Sequence, residues 1–304
     1  MNEPNLKVRV GSLELKNPVL IASGTFGYGE EAIQFFDLNL IGGFITPSIL
    51  IKPKRGNPPP RIVETSAGLL SSLGYQNIGI ENFIKEKLPN LTKIDTNIIV
   101  NLVFETENDL IECIRLLKNE KVEGFEINLE LFQKVLDENY LKNSFRAFLE
   151  KIKSLTDKAI ILKISPKNNL YFNLIKIAKE AEITAISAFG SHKGMSIDIY
   201  KQKSKLSQII GDYTGPAIKP LSLAMVFEII QKFGIPVIGC GGITNFQDAL
   251  EYLIIGTKAI QVGTHNFVDP KAPVKIVNDI RDYLIKNNLN DINSIIGCLK
   301  LENE

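Results

Sequence analysis

Residues 236–264 read PVIGCGGITNFQDALEYLIIGTKAIQVGT, and this stretch decides the fold. It opens on an apolar run, 236–242, passes through a helix-patterned segment, 246–256, and ends on a second apolar run, 259–264. Neither run alternates polar with apolar residues, as expected of parallel strands covered on both faces. The unit is therefore strand, helix, parallel strand. Glycines close both runs, as Gly241-Gly242 and as Gly263 before Thr264.

The same alternation extends outward over the chain. Further apolar runs stand at 17–23 (NPVLIAS), 42–49 (GGFITPSI), 97–104 (NIIVNLVF), 124–129 (GFEINL), 159–165 (AIILKIS) and 185–190 (AISAFG), which makes eight in all. Helix-like stretches cover 30–38, 80–91, 107–119, 143–156, 170–182, 221–234, 246–256 and 274–288. Leu223, Val226, Phe227 and Ile230 carry the spacing of a core-facing stripe. Eight such repeats with no second domain predict a closed (β/α)₈ barrel, one domain over 1–304. Residues 6–18 (LKVRVGSLELKNP) predict a hairpin turning at Gly11-Ser12, placed as a plug at the barrel bottom. Residues 52–79 are too long and too rich in Pro and Gly for a simple strand–helix loop. Extended loops of this kind lie over the active face of a barrel, so a substrate cover is expected here.

Composition narrows the function. With 44% hydrophobic residues the chain buries a large core, and disorder is excluded. A net charge of +1 supplies no field for nucleic acid or an acidic membrane. No apolar run approaches the ~18 residues of a membrane span, and the N-terminus is polar, so a cytoplasmic protein is expected. Cys113, Cys240 and Cys298 form no C-x-x-C pair, and the only histidines are His192 and His265. Zinc and iron–sulfur ligation within this chain are not expected. Cys113, spaced with Leu110, Ile114 and Leu117, is expected in the core.

Polar groups and glycines gather where the strands should end. Loops after strands seven and eight of a barrel bind phosphate through bare backbone N–H groups and a helix N-terminus, which suits Gly215, Gly241, Gly242, Gly263 and Thr264. Glycines of this kind also make tight turns without any ligand. Ser23, Asn101, Asn128 and Lys163 point at the same mouth. Lys163 is costly to bury unpaired. Either an anionic cofactor edge or a barrel carboxylate such as Glu126 would relieve that cost.

Eight blocks carry a family resemblance: NPVLIASGTFGYG, GNPPPRIVETSAGLL, GYQNIGIENF, EINL, LKISP, TGPAIKPLSLAMV, PVIGCGGI and AIQVGTHNF. Together they resemble dihydroorotate dehydrogenase, specifically the catalytic subunit of the NAD-linked class 1B form, over about residues 6–283. The resemblance implies FMN, held by Ser23, Ser48, Asn101, Asn128, Lys163, Gly215, Gly241, Gly242, Gly263 and Thr264. It implies oxidation of dihydroorotate to orotate in pyrimidine synthesis. It also implies a separate FAD and iron–sulfur subunit and a homodimer or higher oligomer.

The substrate half departs from the family pattern. By family position the substrate meets Pro47, Ser71, Gly74, Asn128, Gly190 and Ser191. The family motif N-x-S-C-P-N, whose cysteine removes the C5 proton, reads here Asn128-Leu129-Glu130-Leu131-Phe132-Gln133, so the cysteine position is Leu131. The family lysine of T-K-[ST] is Pro47, and two family asparagines are Ser71 and Gly190. The glycine-rich lid is replaced by KVLDENYLKNSF. A general base contributes about 10²–10⁴-fold, so loss of the cysteine alone costs roughly 3–5 kcal/mol of barrier. His192 could serve as a base but is expected to be a solvent-exposed loop residue. Glu130 is expected to face away from the site, because adjacent strand residues alternate. Three functions stay open: a dihydroorotate dehydrogenase impaired on dihydroorotate, an FMN enzyme for a different and less polar substrate (given Leu131, Phe132 and Pro47), and a non-catalytic FMN-binding paralogue.

Overall fold

The computed structural model describes residues 3–132, 135–166 and 170–301. Strands β1 (Val8–Val10) and β2 (Leu13–Leu15) form the expected antiparallel hairpin. Val8, Val10, Leu13 and Leu15 are buried while the residues between them face outward. At the turn, a Cβ on Gly11 would lie 2.6 Å from the carbonyl oxygen of Thr184, so only glycine fits. The Asn97 side chain donates to the Glu14 carbonyl at 3.1 Å. Thr184 precedes one barrel strand and Asn97 begins another, so the hairpin is seated against the N-terminal ends of the strands.

Eight parallel strands then close on themselves. They are β3 (Val19–Ile21), β4 (Gly43–Ile45), β7 (Asn97–Val103), β8 (Gly124–Asn128), β9 (Ala159–Lys163), β10 (Ala185–Ala188), β15 (Val237–Cys240) and β16 (Ala259–Val262). The ladder runs from β3 through β4, β7, β8, β9, β10, β15 and β16 and back to β3, with Gln261 opposite Leu20 at the closure. This is a (β/α)₈ barrel. All eight expected apolar runs supply its strands.

Local signals set the helices around it. Glu107–Leu117 starts at a capping box between Thr106 and Asp109 and buries Cys113 with Leu110, Ile114 and Leu117. Lys219–Phe233 stops at Gly234, which takes the left-handed conformation at φ 59°. Phe246–Ile254 is capped by Asn245, whose side chain accepts from the Asp248 N–H at 3.0 Å. The helix expected over 30–38 does not form. Two short 3₁₀ turns, Ala32–Gln34 and Leu38–Leu40, take its place. Ala32 and Leu38 are buried whereas Ile33 and Phe35 are exposed, so no continuous stripe rewards an α-helix. Asp37 instead accepts from the Asn39 N–H at 2.9 Å and turns the chain. The helix expected over 143–156 starts earlier, because Asp137 caps the Tyr140 N–H at 2.7 Å; it runs through Glu138–Tyr140, a π-turn at Leu141–Phe145 and Arg146–Lys153.

The long connection 52–79 folds into strands of its own. β5 (Ile62–Thr65) and β6 (Gly68–Ser71) make a hairpin. β6 pairs with β14 (Gly211–Thr214), which pairs with β11 (His192–Gly194), giving a four-stranded antiparallel sheet. A separate two-stranded hairpin, β12 (Ile197–Asp198) and β13 (Lys203–Ser204), lies between β11 and β14 in the chain.

Candidate active site

The small sheet and the C-terminal ends of the barrel strands enclose one cavity of about 570 Å³. Cofactor and small-molecule sites typically occupy about 300–1,000 Å³. Ser23, Ser48, Asn128, Lys163, Gly215, Gly241, Gly242, Gly263 and Thr264 line it, and so do Pro47, Ser71, Gly74, Gly190 and Ser191. Residues from nearly opposite ends of the sequence thus share one wall.

At one end the glycines meet the start of Lys219–Phe233. A Cβ on Gly242, at φ +69°, would lie 2.8 Å from the backbone nitrogen of Lys219, and one on Gly241 would lie 2.5 Å from the Ser222 hydroxyl. Backbone can approach the helix N-terminus this closely only where side chains are missing. Such a bare, N–H-lined terminus is suited to a phosphate group. Lys219 itself turns away, with its Nζ 2.6 Å from Asp248 and 2.8 Å from Glu251. Asp248 also accepts from the Thr244 N–H and hydroxyl at 2.8 and 2.6 Å, which ties the glycine loop to both helices.

The floor carries a buried polar network. Glu126, fully buried, accepts from Lys163 Nζ at 3.0 Å, from Asn101 at 2.6 Å and from Gln261 at 2.7 Å. Burial works against the Glu126 charge, but Lys163 and the Gln261 hydrogen bond overcome it and hold its carboxyl below the usual range. Burial likewise opposes the Lys163 charge, and Glu126 outweighs it, so the ammonium persists. Lys163 keeps 27% of its side chain exposed to the cavity. Its burial cost is therefore met by Glu126, the carboxylate alternative raised by the sequence. Asn101 does not line the cavity; it stands behind the wall as a donor to Glu126. Gln261 does line it, and its Oε1 is buried with no hydrogen-bond partner among the described residues. An unmet acceptor in the wall, beside the ammonium and the bare glycine loop, fits a polar ring system with a phosphate tail.

The other end holds Ser191, expected by family position, beside Tyr75, Asp212 and Cys240, which sequence reasoning missed. Tyr75 takes φ 59°, held by the Asn77 amide donating to its carbonyl at 2.8 Å. Its phenol is hydrogen-bonded with Asn128, and burial, then Glu130 and Asp212, raise its pKa, so it stays protonated. Ser191 donates to Asp212 at 3.4 Å. Cys240 also lines the cavity, its thiol pushed up to about 11 by burial despite Lys163 nearby. A Cβ on Gly190 would lie 3.0 Å from its sulfur. In the sequence Tyr75 stood within the block GYQNIGIENF of a long connection, with nothing to say which way it pointed.

Three expectations need correcting. Glu130 lines the cavity together with Leu129. β8 ends at Asn128, whose side chain accepts from the Glu130 N–H at 3.0 Å, so strand alternation no longer applies. Leu131 is half-buried and does not line the cavity, and Phe132 is buried against Phe104, Tyr140 and Phe148 at ring distances of 4.9, 5.6 and 5.9 Å. Neither supplies an apolar wall to the site. Gln133, the last residue of that motif, lies outside the described residues, as does Lys134 of the segment replacing the lid. His192 is neither a loop residue nor a wall residue; it lies half-buried in β11 opposite Tyr213.

Comparison with known proteins follows the same lines. A family model described as dihydroorotate dehydrogenase matches residues 5–284. The chain is 44% identical to the dihydroorotate dehydrogenase B (NAD(+)) catalytic subunit of Thermodesulfovibrio yellowstonii, over 98% of this chain and 99% of that protein. Proteins of the same description from Thermoanaerobacter sp. strain X514 and Geotalea daltonii are 39% and 40% identical, across 98% and 99% of this chain and the whole of each relative. Barrel, cavity and relatives agree: this chain belongs to the dihydroorotate dehydrogenase family, on the side of its NAD-linked class 1B catalytic subunits.

Proposed function

We propose that the chain is an FMN-dependent CH–CH oxidoreductase of the dihydroorotate dehydrogenase type that works poorly on dihydroorotate itself. The observation that carries the proposal is one cavity with two unlike ends. Its glycine and Lys163 end keeps what FMN needs, while Pro47, Ser71 and Gly190 occupy the substrate end in place of a lysine and two asparagines.

Gly215, Gly241, Gly242, Gly263 and Thr264 would hold the phosphate through backbone N–H groups. Ser23, Ser48, Asn128 and Lys163 would hold the ring, with Asn101 acting from behind through Glu126. Bound FMN supplies a hydride acceptor at N5. The Lys163 ammonium would supply positive charge to the reduced flavin, which is negative at its N1–C2 carbonyl edge. Asn128 orients the Tyr75 phenol, a protonated hydrogen-bond donor toward a substrate oxygen. Gly74 and Ser191 add wall on the same side, and the β5–β6 hairpin covers the site from water.

What the substrate end lacks is equally specific. Leu131 stands outside the cavity and cannot accept a proton, so it cannot do what the family cysteine does. Pro47 supplies no cation for a substrate carboxylate. An FMN enzyme for a different substrate is favoured by Tyr75 and Glu130, which give that end its own polar groups. The earlier expectation of a less polar substrate loses support from Leu131 and Phe132. A non-catalytic FMN-binding subunit is the remaining alternative.

The chain would act as one unit over 1–304, as a homodimer or higher oligomer, and pass electrons to a separate FAD and iron–sulfur subunit, as its class implies. Anaerobic mixing of the yellow protein with dihydroorotate tests the proposal. Slow or absent bleaching is expected. Rapid, complete bleaching at micromolar dihydroorotate would overturn the impairment, and colourless protein that takes up no FMN would overturn the flavin function.

A further inference from the structure

Most (β/α)₈ barrels fill their interior with branched apolar side chains. This one places a carboxylate there. Glu126 is 0% exposed, and its two oxygens take Lys163 at 3.0 Å, Asn101 at 2.6 Å and Gln261 at 2.7 Å. The donors come from β9, β7 and β16, so the ring of hydrogen bonds spans the barrel. Stability does not account for it: a buried ion pair is often no better than an apolar group of the same volume. The position does. Lys163 and Gln261 line the cavity, whereas Glu126 stands directly behind Lys163 and does not.

We infer that Glu126 is a positioning residue for the flavin, aiming Lys163 into the cavity and cancelling part of its charge, and thereby lowering the reduction potential of bound FMN. The inference rests on the flavin function proposed above. A bare ammonium facing the ring would favour the anionic reduced flavin strongly, because its field acts through a dry floor of low dielectric. A carboxylate 3.0 Å behind the ammonium turns that single charge into a dipole, whose field fades faster with distance. Gln261 and Asn101 share the carboxylate's negative charge and so set how much of Lys163 is cancelled. The chain thus carries a flavin-facing cation whose strength is adjusted from beneath.

The test is Glu126→Gln, which keeps shape and removes charge, read by flavin potential and by sulfite binding. Sulfite adds its lone pair to flavin N5, forming one S–N bond and leaving negative charge at the N1–C2 edge, so it reports the same electrostatics without turnover. Relative to parent holoprotein, sulfite should bind about tenfold tighter or more, and the potential should rise by ~30 mV or more for a two-electron couple. Glu126→Asp, which restores the charge, should return most of the shift. In a Lys163→Met background Glu126→Gln should move neither readout, because Glu126 acts through Lys163. Values within about twofold of parent, or the same shift without Lys163, would overturn the inference. If Glu126→Gln does not fold, Asn101→Ser takes its place. Freeing the carboxylate for Lys163 should then lower the potential and weaken sulfite binding, and no change overturns the inference equally. Parent protein that takes up no FMN would instead defeat the flavin function, a separate outcome.

Discussion

Lys219 and Asp248 clasp the glycine-lined end of the cavity, with Nζ 2.6 Å from Oδ1. Asp248 Oδ2 meanwhile accepts two hydrogen bonds from Thr244, just beyond the Gly241-Gly242 turn. One carboxylate therefore fixes a loop and two helices. Removing it as Asp248→Ala should cost about 2–3 kcal/mol, the scale of hydrogen bonds to a charged group, and weaken FMN binding. Denaturant unfolding and an FMN titration measure the two effects.

The same residue predicts a pH dependence. Burial opposes the Asp248 charge, but Lys219 and Thr244 outweigh it and depress its pKa in the folded protein. A depressed folded pKa gives stability that is present above the unfolded value of about 3.9 and is lost as pH falls through the folded value. The stability gap between the parent and Asp248→Asn should be constant above pH ~5 and shrink below pH ~4. A gap that stays unchanged down to the onset of acid unfolding would contradict this role.

Gly242→Ala isolates the backbone requirement. Its Cβ would sit 2.8 Å from the Lys219 nitrogen at φ +69°, so both the contact and the torsion are unfavourable. A loss of about 1–3 kcal/mol is expected, together with weaker binding of FMN. Riboflavin, which has no phosphate, should be affected less than FMN if the glycine serves the phosphate end.

His192→Ala should change turnover on any substrate less than about threefold, far below the contribution of a general base. The residue belongs to β11 rather than to the cavity wall. A fall of about 10²-fold in kcat would make it the missing base after all.

Restoring the family residues should be strongly non-additive. Leu131→Cys alone should stay poor, since Leu131 does not reach the cavity and residues acting as a unit rescue little singly. Adding Pro47→Lys and Ser71→Asn should help more than the single changes suggest. Gly190→Asn needs Cys240→Ala beside it, because its Cβ would stand 3.0 Å from the Cys240 sulfur. Stopped-flow flavin reduction by dihydroorotate ranks the series. Full rescue by Leu131→Cys alone would show that this loop closes onto the site and that only the base was missing.

Much of this protein was decided locally and could be read along the chain. The apolar runs ended within a few residues of the observed strands, because strands covered on both faces are built mostly from apolar residues, with Asn101, Glu126 and Gln261 among the buried polar exceptions. The glycines at 241 and 242 were visible too, since a close backbone approach excludes every side chain, wherever the partner lies. The segment 30–38 was the exception, since its helix depended on a stripe that the barrel did not bury.

Tertiary structure alone decided the rest, because it turned on which side chains from distant segments meet. Nothing within EINL or LKISP shows that Lys163 is already satisfied by Glu126, nor that Asn101 acts from behind the wall. Alternation against Leu131 placed Glu130 outside, but β8 ends at Asn128, before either residue, and the chain beyond it turns Glu130 inward. Tyr75 reached Asn128 only because a connection of many residues folded back as a sheet over the barrel. Strand and turn preferences act over neighbouring residues, whereas charge pairing and cavity shape act across space, and only the closed barrel brings those groups within reach of one another.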